Sequence, residues 1–406
     1  MIIVSWEGVI WIFILVKEAK VRVCVVSLFG QRKITVGSQT YCWWLIKFLT
    51  EKKIPCVYIT PYTFNPPVAY IFLILSYFSG RVFRFLDDPC FFTLRYFFIK
   101  KGLRKILNNN RGINIINAQD PLSALAALEV KRVLRLKAKI ALTIHMNFPS
   151  LAEEEVYAGK LRKGSRFYFW LTKRERISFL GVDRIIFPSN YIAKEVLKKY
   201  PEVKGKSRII YYGIGDPPLN SRHPSHALGK RIILNIGTLC ARKNQQFLLK
   251  VTQRLSKKNG LIELHLIGEG KDKAFLENFA RSLGIENLVQ FRGIVRNAWQ
   301  GLKEAWLYVH SSLVDNAPFA IIEAIAFGVP VVALSVGGIP EMVKHGYNGY
   351  LVEGEDVDTF AGYIEELLDN EAKYISMSQN CRNIFKERFD YRIMGREFLL
   401  SMQKDF

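Results

Sequence analysis

The sequence predicts an α/β protein built from two doubly wound domains, each a parallel sheet with helices on both faces. Three observations carry this. Short β-branched runs recur along the chain and alternate with segments of helical period, as parallel strands joined by crossover helices require. A stretch rich in Pro, Gly, Ser and Asn, residues 213–230, interrupts the alternation, which then starts again. The 406 residues, 50% of them hydrophobic, suffice for two cores of roughly 100–200 residues each.

The first twenty residues, "MIIVSWEGVIWIFILVKEAK", are apolar but lack a basic leading region and a small-residue cleavage site. Glu7 interrupts a run shorter than the ~20 residues that span a bilayer, so neither a signal peptide nor a transmembrane helix is expected. Residues 1–20 are read as an extension, either an interfacial helix or sequence upstream of the true start. A first domain over residues 21–212 follows, with strands expected in "VRVCVVS", "PCVYIT", "INIINAQ", "KIALTIH", "VDRIIFPS" and "RIIYYG". The linker is residues 213–230. A second domain over residues 231–388 has strands expected in "RIILNIG", "IELHLIG", "LVQFRGIV", "LYVHSS", "VPVVALS" and "GYLVEG". Residues 389–406 read as helix interrupted near 389–391. With no strand left to cross to, this helix is expected to pack back on the first domain. Residues 68–107 break the rhythm, being dense in aromatics and studded with Lys and Arg. They fit a helix lying on an anionic membrane surface, and equally a buried helical pair of the first domain.

The net charge of +22, from 58 Lys and Arg against 36 Asp and Glu, attracts phosphates in nucleic acid, lipid or a phosphorylated substrate. No base-stacking module or recognition-helix motif accompanies it, so nucleic acid is not expected as a partner. The six cysteines are scattered without a C-x-x-C, which indicates reduced thiols and a cytoplasmic protein. No metal site is expected. His223 and His226 fall in the linker, His265 and His310 lie on apolar strands without spaced partners, and "EDVD" at residues 355–358 begins a helix, where acids favour the N-terminus.

The most informative stretch is "DNAPFAIIEAIAF", in which Glu323 interrupts an apolar run and Asp315 precedes it by eight positions. Pro318 suits the first helical position, Gly328 the left-handed position after the last turn, and "VPVVALS" is the next strand. Asp315 and Asn316 therefore lie in a loop at the carboxyl edge of the sheet, where open parallel sheets bind ligands. A helix N-terminus there favours a phosphate, and two acids suit the hydroxyls of an attached sugar. The alternative is that Glu323 pairs with a core Arg or a backbone amide while Asp315 caps the helix.

The same stretch resembles the central motif of the retaining glycosyltransferases of family 4, which have the GT-B fold: two Rossmann-like domains facing across a cleft. Two acids with seven residues between them are followed by "AIAFGVPVVALSVGGIPE", and "NAP" after the first acid resembles a branch that makes surface polysaccharides. Asp315 stands where the family usually has Glu. The resemblance implies that Glu323 binds the donor ribose and that Asp315 contacts the transferred sugar, with Asn316, Ala317, Pro318 and Phe319 lining the donor site. "NIGTLCARKNQQFLLK" resembles the loop that grips the donor diphosphate, giving Arg242 and Lys243 that role, with Thr238 where many members have Arg. In "FRGIV", Gly293, Ile294 and Val295 stand where the family reads the base. "ITVGSQTY" places Gly37 where backbone amides approach the diphosphate, and His145 in "LTIHMNFPS" would contact the donor sugar or the acceptor. Taken without the family, Gly37 suits a helix start and His145 a structural role at a strand end.

The expected activity is transfer of a sugar from a nucleoside-diphosphate donor to a hydroxyl acceptor with retention, independent of metal and cofactor. The expected partners are a nucleotide sugar, a glycan or lipid-linked saccharide, and an anionic membrane surface, with the protein peripheral on the inner face of that membrane. Rival readings are a nucleotide-sugar-binding accessory protein without turnover, or an epimerase or phosphorylase on the same fold.

Overall fold

Strands that are apolar at every position need cover on both faces, and the chain satisfies this with two separate sheets. A computed structural model describes residues 2–6, 9–13, 21–27, 37–60, 87–218, 231–256, 262–295 and 298–403. It divides into two compact units, Met1–Tyr211 with Tyr391–Phe406, and Tyr212–Asp390.

The first unit holds β1 (Ile2–Trp6), β2 (Val9–Phe13), β3 (Val23–Val26), β4 (Cys56–Ile59), β5 (Ile115–Ala118), β6 (Lys139–Thr143), β7 (Arg184–Phe187) and β8 (Ser207–Ile209). Strands β3 to β8 form one parallel sheet in the order β4-β3-β5-β6-β7-β8. Every residue of β3, β5 and β7 is buried, so both faces of the sheet are covered. Strands β1 and β2 form an antiparallel hairpin, with Ile2 opposite Phe13 and Trp6 opposite Val9. This corrects the expectation of an interfacial helix in residues 1–20. "IIVSW" and "VIWIF" are β-branched and aromatic, and two such runs two residues apart favour a hairpin over a helix.

Helix Asp87–Asn109 overlaps the segment expected at a membrane or in a buried pair. Its Phe92, Ile99, Leu103 and Leu107 are buried in the first core, where it packs on helix Pro121–Leu134. Residues 61–86, which include the start of that segment, lie outside the described residues. Helix starts follow local chemistry: Asp120, Ser150, Ser165 and Ser189 each accept a hydrogen bond from a backbone N–H of the first turn.

The second unit contains β9 (Arg231–Ile236), β10 (Ile262–Ile267), β11 (Val289–Gly293), β12 (Ala305–His310), β13 (Val331–Leu334) and β14 (Gly349–Val352). They pair in parallel in the order β11-β10-β9-β12-β13-β14. This is the doubly wound order whose direction reverses between β9 and β12. Residues 212–218 are tied to this unit: Ile214 N–H donates to Phe389 C=O (2.9 Å) and Asp216 pairs with Arg382 (2.7 Å). Residues 219–230 lie outside the described residues.

Helix Glu371–Ile384 ends in a widened turn, Phe385–Phe389, and helix Tyr391–Gln403 then packs on helix Gly37–Glu51. The Tyr391 hydroxyl donates to the Glu51 carboxylate (2.7 Å), and Gly395 sits against Phe48 so closely that a Cβ would lie 2.2 Å from the ring. Gly395→Ala is expected to destabilise the protein by about 1–3 kcal/mol through overpacking. Gly362→Ala, in helix Val357–Asp369 with nothing within 4 Å of the added methyl, is expected to stabilise it by about 1 kcal/mol. Chemical denaturation of the two variants beside the parent measures both signs.

Candidate active site

The reversal between β9 and β12 opens the carboxyl edge of the second sheet, and the two loops leaving it are bonded to each other. After β9 the chain runs through the short turn Ala241–Lys243 into helix Gln245–Ser256. After β12 it runs from Ser311 to helix Phe319–Ala326. Leu313 N–H donates to Arg242 C=O (2.9 Å), the Arg242 guanidinium donates to Val314 C=O (2.9 Å), and Ser311 Oγ donates to Lys243 C=O (2.9 Å).

At the centre is Asp315, only 6% exposed. Its Oδ2 accepts from Lys243 Nζ (2.5 Å), His310 Nε2 (3.0 Å) and Ser312 Oγ (3.1 Å), and Arg242 Nη1 stands 3.9 Å away. Burial by itself would raise the carboxyl, but the Lys243 ammonium and the His310 hydrogen bond hold it well below the usual carboxylate range. Burial pushes the His310 pKa down, against the pull of Asp315, so the ring is neutral near pH 7. Its Nδ1 lies 3.2 Å from the Tyr308 hydroxyl, which can donate there while Nε2–H donates to Asp315. The expectation that His310 has no spaced partner is therefore corrected. Its partner lies five residues on, where the chain leaves the strand and turns back over its end. His265, also read as alone, pairs with Glu263 on its own strand (3.1 Å). The backbone of Asp315 is fixed as well: Gly338 N–H donates to its C=O (3.1 Å). Gly337, with φ +58°, passes so near that a Cβ would lie 1.9 Å from that oxygen. "GG" after β13 is thus the room that Asp315 needs.

Glu323 contrasts with Asp315 at every point. It is the fifth residue of helix Phe319–Ala326, half-buried, and its side chain makes no hydrogen bond or ion pair among the described residues. Burial pushes its carboxyl up to about 7. The reading that a core Arg or backbone amide satisfies it therefore does not hold among the described residues. Asp315 does not cap the helix either. The residue before the first turn is Pro318, one place earlier than expected, and no side chain caps that end. Gly328 does adopt the left-handed conformation (φ +69°). The side chains of Asn316, Ala317 and Pro318 are buried, and the Phe319 ring stacks on Tyr212 with centroids 4.7 Å apart.

The structure therefore gathers Arg242, Lys243, Asp315 and Glu323 at one switch point and adds Tyr308, His310 and Ser312, which sequence reasoning missed. Gly293 has φ +65°, and the Ile294 after it is 80% exposed, at the same sheet edge two strands from β9. "GEG" is a turn set by close approach, because a Cβ on Gly268 would lie 1.9 Å from Gly237 C=O. Asp356 in "EDVD" accepts from the N–H groups of Asp358 and Thr359 (both 3.1 Å) as a helix cap.

His145 and Gly37 belong to the first unit. His145 follows β6 by two residues, Nε2 lies 2.8 Å from Gln119 Oε1, and the ring meets Tyr41 edge-on at 5.2 Å. Burial lowers its pKa to about 3, so it is a neutral imidazole. Gly37 begins helix Gly37–Glu51 and is exposed, and residues 28–36 before it lie outside the described residues.

Asp315→Asn leaves the largely covered Lys243 ammonium without its counter-charge, so a loss of about 3 kcal/mol of stability is expected at neutral pH. The depressed Asp315 pKa contributes stability above the unfolded value near 4 and loses it as pH falls toward the folded value. The gap between parent and variant is therefore expected to narrow below about pH 4, in urea titrations run across pH.

The family model described as Glycosyltransferase Family 4 matches residues 36–215, and the one described as Glycosyl transferases group 1 matches residues 219–384. An uncharacterized glycosyltransferase of Haemophilus influenzae is 32% identical over 167 residues, 40% of this chain and 47% of that protein. The lipopolysaccharide 1,6-galactosyltransferase of Salmonella typhimurium is 26% identical over 199 residues, 48% of this chain and 52% of its own length. The chain thus spans about half the length of these curated relatives. Among solved structures, Anabaena HepE in complex with UDP-glucose has the same fold, with a TM-score of 0.66 at 18% identity over 94% of this chain and 99% of that one. With one of these glycosyltransferase models on each half and a doubly wound sheet beneath each, the chain is a family-4-like glycosyltransferase of the GT-B fold.

Proposed function

We propose that the protein transfers a sugar from a nucleoside-diphosphate donor to a hydroxyl of a lipid-linked saccharide or surface-polysaccharide intermediate, with retention of configuration. The observation that carries this reading is Glu323: a half-buried carboxyl without a partner among the described residues, beside an uncapped helix start at the switch point where Arg242 and Lys243 emerge. A carboxylate so placed gains two hydrogen bonds from the vicinal hydroxyls of a ribose. Lys243 spends one N–H on Asp315 and keeps two for the diphosphate, which Arg242 and the helix start also face.

In the proposed step the bond from the sugar carbon to the diphosphate oxygen breaks, and its electron pair stays on that oxygen. The acceptor oxygen bonds to the same face of the carbon, and its proton passes to the departing phosphate. The charge that grows on the diphosphate meets Arg242, Lys243 and the helix N-terminus, so catalysis is chiefly stabilisation of the leaving group. Asp315 orients Lys243 and directs its second oxygen toward the transferred sugar, while His310 and Ser312 are positioning residues that hold Asp315. Gly293, Ile294 and Val295 read the base, Asn316 to Phe319 approach the donor through backbone groups, and Gly37 and His145 serve the donor sugar or the acceptor. Both the UDP-glucose bound by HepE and the lipopolysaccharide substrate named for the Salmonella relative support this donor and acceptor class.

Donor binding requires ionised Glu323. Because the free carboxyl titrates near 7, affinity for UDP-glucose is expected to rise about tenfold from pH 6 to pH 8, and Glu323→Gln should bind weakly with no such slope. Between about 4.5 and 7 the folded state holds the proton that the unfolded state has lost, so this group costs stability as pH rises. Glu323→Gln should therefore melt higher than the parent above pH 7 while losing donor affinity. Calorimetric titration and thermal melts read the two effects separately. Release of nucleoside diphosphate on adding acceptor, lost in Lys243→Ala, supports transfer, whereas tight donor binding without turnover across sugars and acceptors would favour the accessory role.

A further inference from the structure

Helices Asp87–Asn109 and Arg166–Gly181 both pack on helix Pro121–Leu134, and Phe92 of the first meets Phe167 of the second with ring centroids 6.1 Å apart. Their inward sides fill the core, with Ile99 and Leu103 on one and Leu171 and Phe179 on the other. Their outward sides are not ordinary solvated helix surface. Phe97 is 57% exposed beside exposed Leu94, and Phe169 is 63% exposed on a stripe that continues through Ile177 and Leu180. Steps of three and eight residues keep each set on one side of its helix.

Positive charge is interleaved with these apolar groups. Lys101, Arg104 and Lys105 are exposed on the first helix, Arg166 and Lys173 on the second, and none of the five pairs with an acid among the described residues. No Asp or Glu occurs in residues 92–109. The one acid of Arg166–Gly181, Glu175, is buried, accepting from Leu151 N–H (2.7 Å) and Tyr200 Oη (2.9 Å).

We propose that this side of the first unit docks on an anionic bilayer, with Phe97 and Phe169 entering the interfacial layer and the five cations lying over the headgroups. An anionic bilayer supplies what the face lacks, negative charge directly above an apolar layer. A second copy of the chain would instead bring like charges together. No helix among the described residues is long and apolar enough to cross the membrane, so the contact is peripheral. The inference is independent of the transfer reading, because docking requires no donor.

Flotation of the full chain with phosphatidylcholine vesicles, with and without about 30% phosphatidylglycerol, tests the proposal. The parent is expected to float with the anionic vesicles at low salt and to be released as salt is raised. Phe97→Ser with Phe169→Ser, and separately Lys101→Glu with Arg104→Glu, should each weaken binding about tenfold. Phe275→Ser, which removes a 52% exposed Phe from the second unit, should not. All these positions are at the surface, and unchanged melting temperatures verify that the variants fold. The proposal is overturned if the parent ignores anionic vesicles at low salt, or if the double Phe variant binds as the parent does. It is equally overturned if that variant only converts a dimer to a monomer by light scattering. Transfer assayed with a detergent-solubilised acceptor fails or succeeds separately from any of these outcomes.

Discussion

The second unit depends on one carboxylate oxygen. Asp315 Oδ2 takes hydrogen bonds from Lys243, His310 and Ser312, and so joins a loop that follows β9 to one that follows β12. A buried carboxylate is expensive unless its charge and lone pairs are met, and here an ammonium and two neutral donors meet them. Three further hydrogen bonds to backbone carbonyls join the loops, and the glycine passing under the Asp315 carbonyl adds to the constraint. The geometry around Arg242 and Lys243 is consequently set before any ligand arrives, which is what electrostatic stabilisation of a leaving group requires.

Two acids eight residues apart thus live under opposite electrostatics. Asp315 is held ionised by a cation in contact, while Glu323 is pushed toward its neutral form by burial without compensation. The first maintains a structure, and the second stores a cost that only a hydrogen-bonding partner can relieve. Stability is given up at Glu323, and under the proposed function donor binding recovers it.

Much of this was legible along the chain. The twelve parallel strands announced themselves as β-branched runs, since the central ones are buried on both faces and admit little else. Glu323 stood out because an acid in an apolar helix needs an explanation. Other features were not legible. The first residues read as an interfacial helix or as sequence upstream of the true start, because an apolar run of that length has no single period, and strand pairing replaces the helix with a hairpin. His310 looked like a core residue on an apolar strand, since its partner becomes a neighbour only through the turn that follows β12. The helix at residues 87–109 carried both signals because its inward side is core while its outward side exposes aromatic and basic residues.

By itself the sequence determined which segments form the two parallel sheets, which loops leave the carboxyl edge, and that residues 315–323 carry an acid pair in a setting that demands a partner. Those properties are local, written in periodicity, turn residues and the cost of a charge among apolar neighbours. Only the tertiary structure decided how the two acids differ. Lys243 and Asp315 are separated by 72 positions and meet because β9 and β12 pair side by side. No cation reaches Glu323 among the described residues, although its helix starts from the loop that carries Asp315. Contact between distant positions is set by strand order, and strand order is a property of the packed sheet that no short window of residues contains.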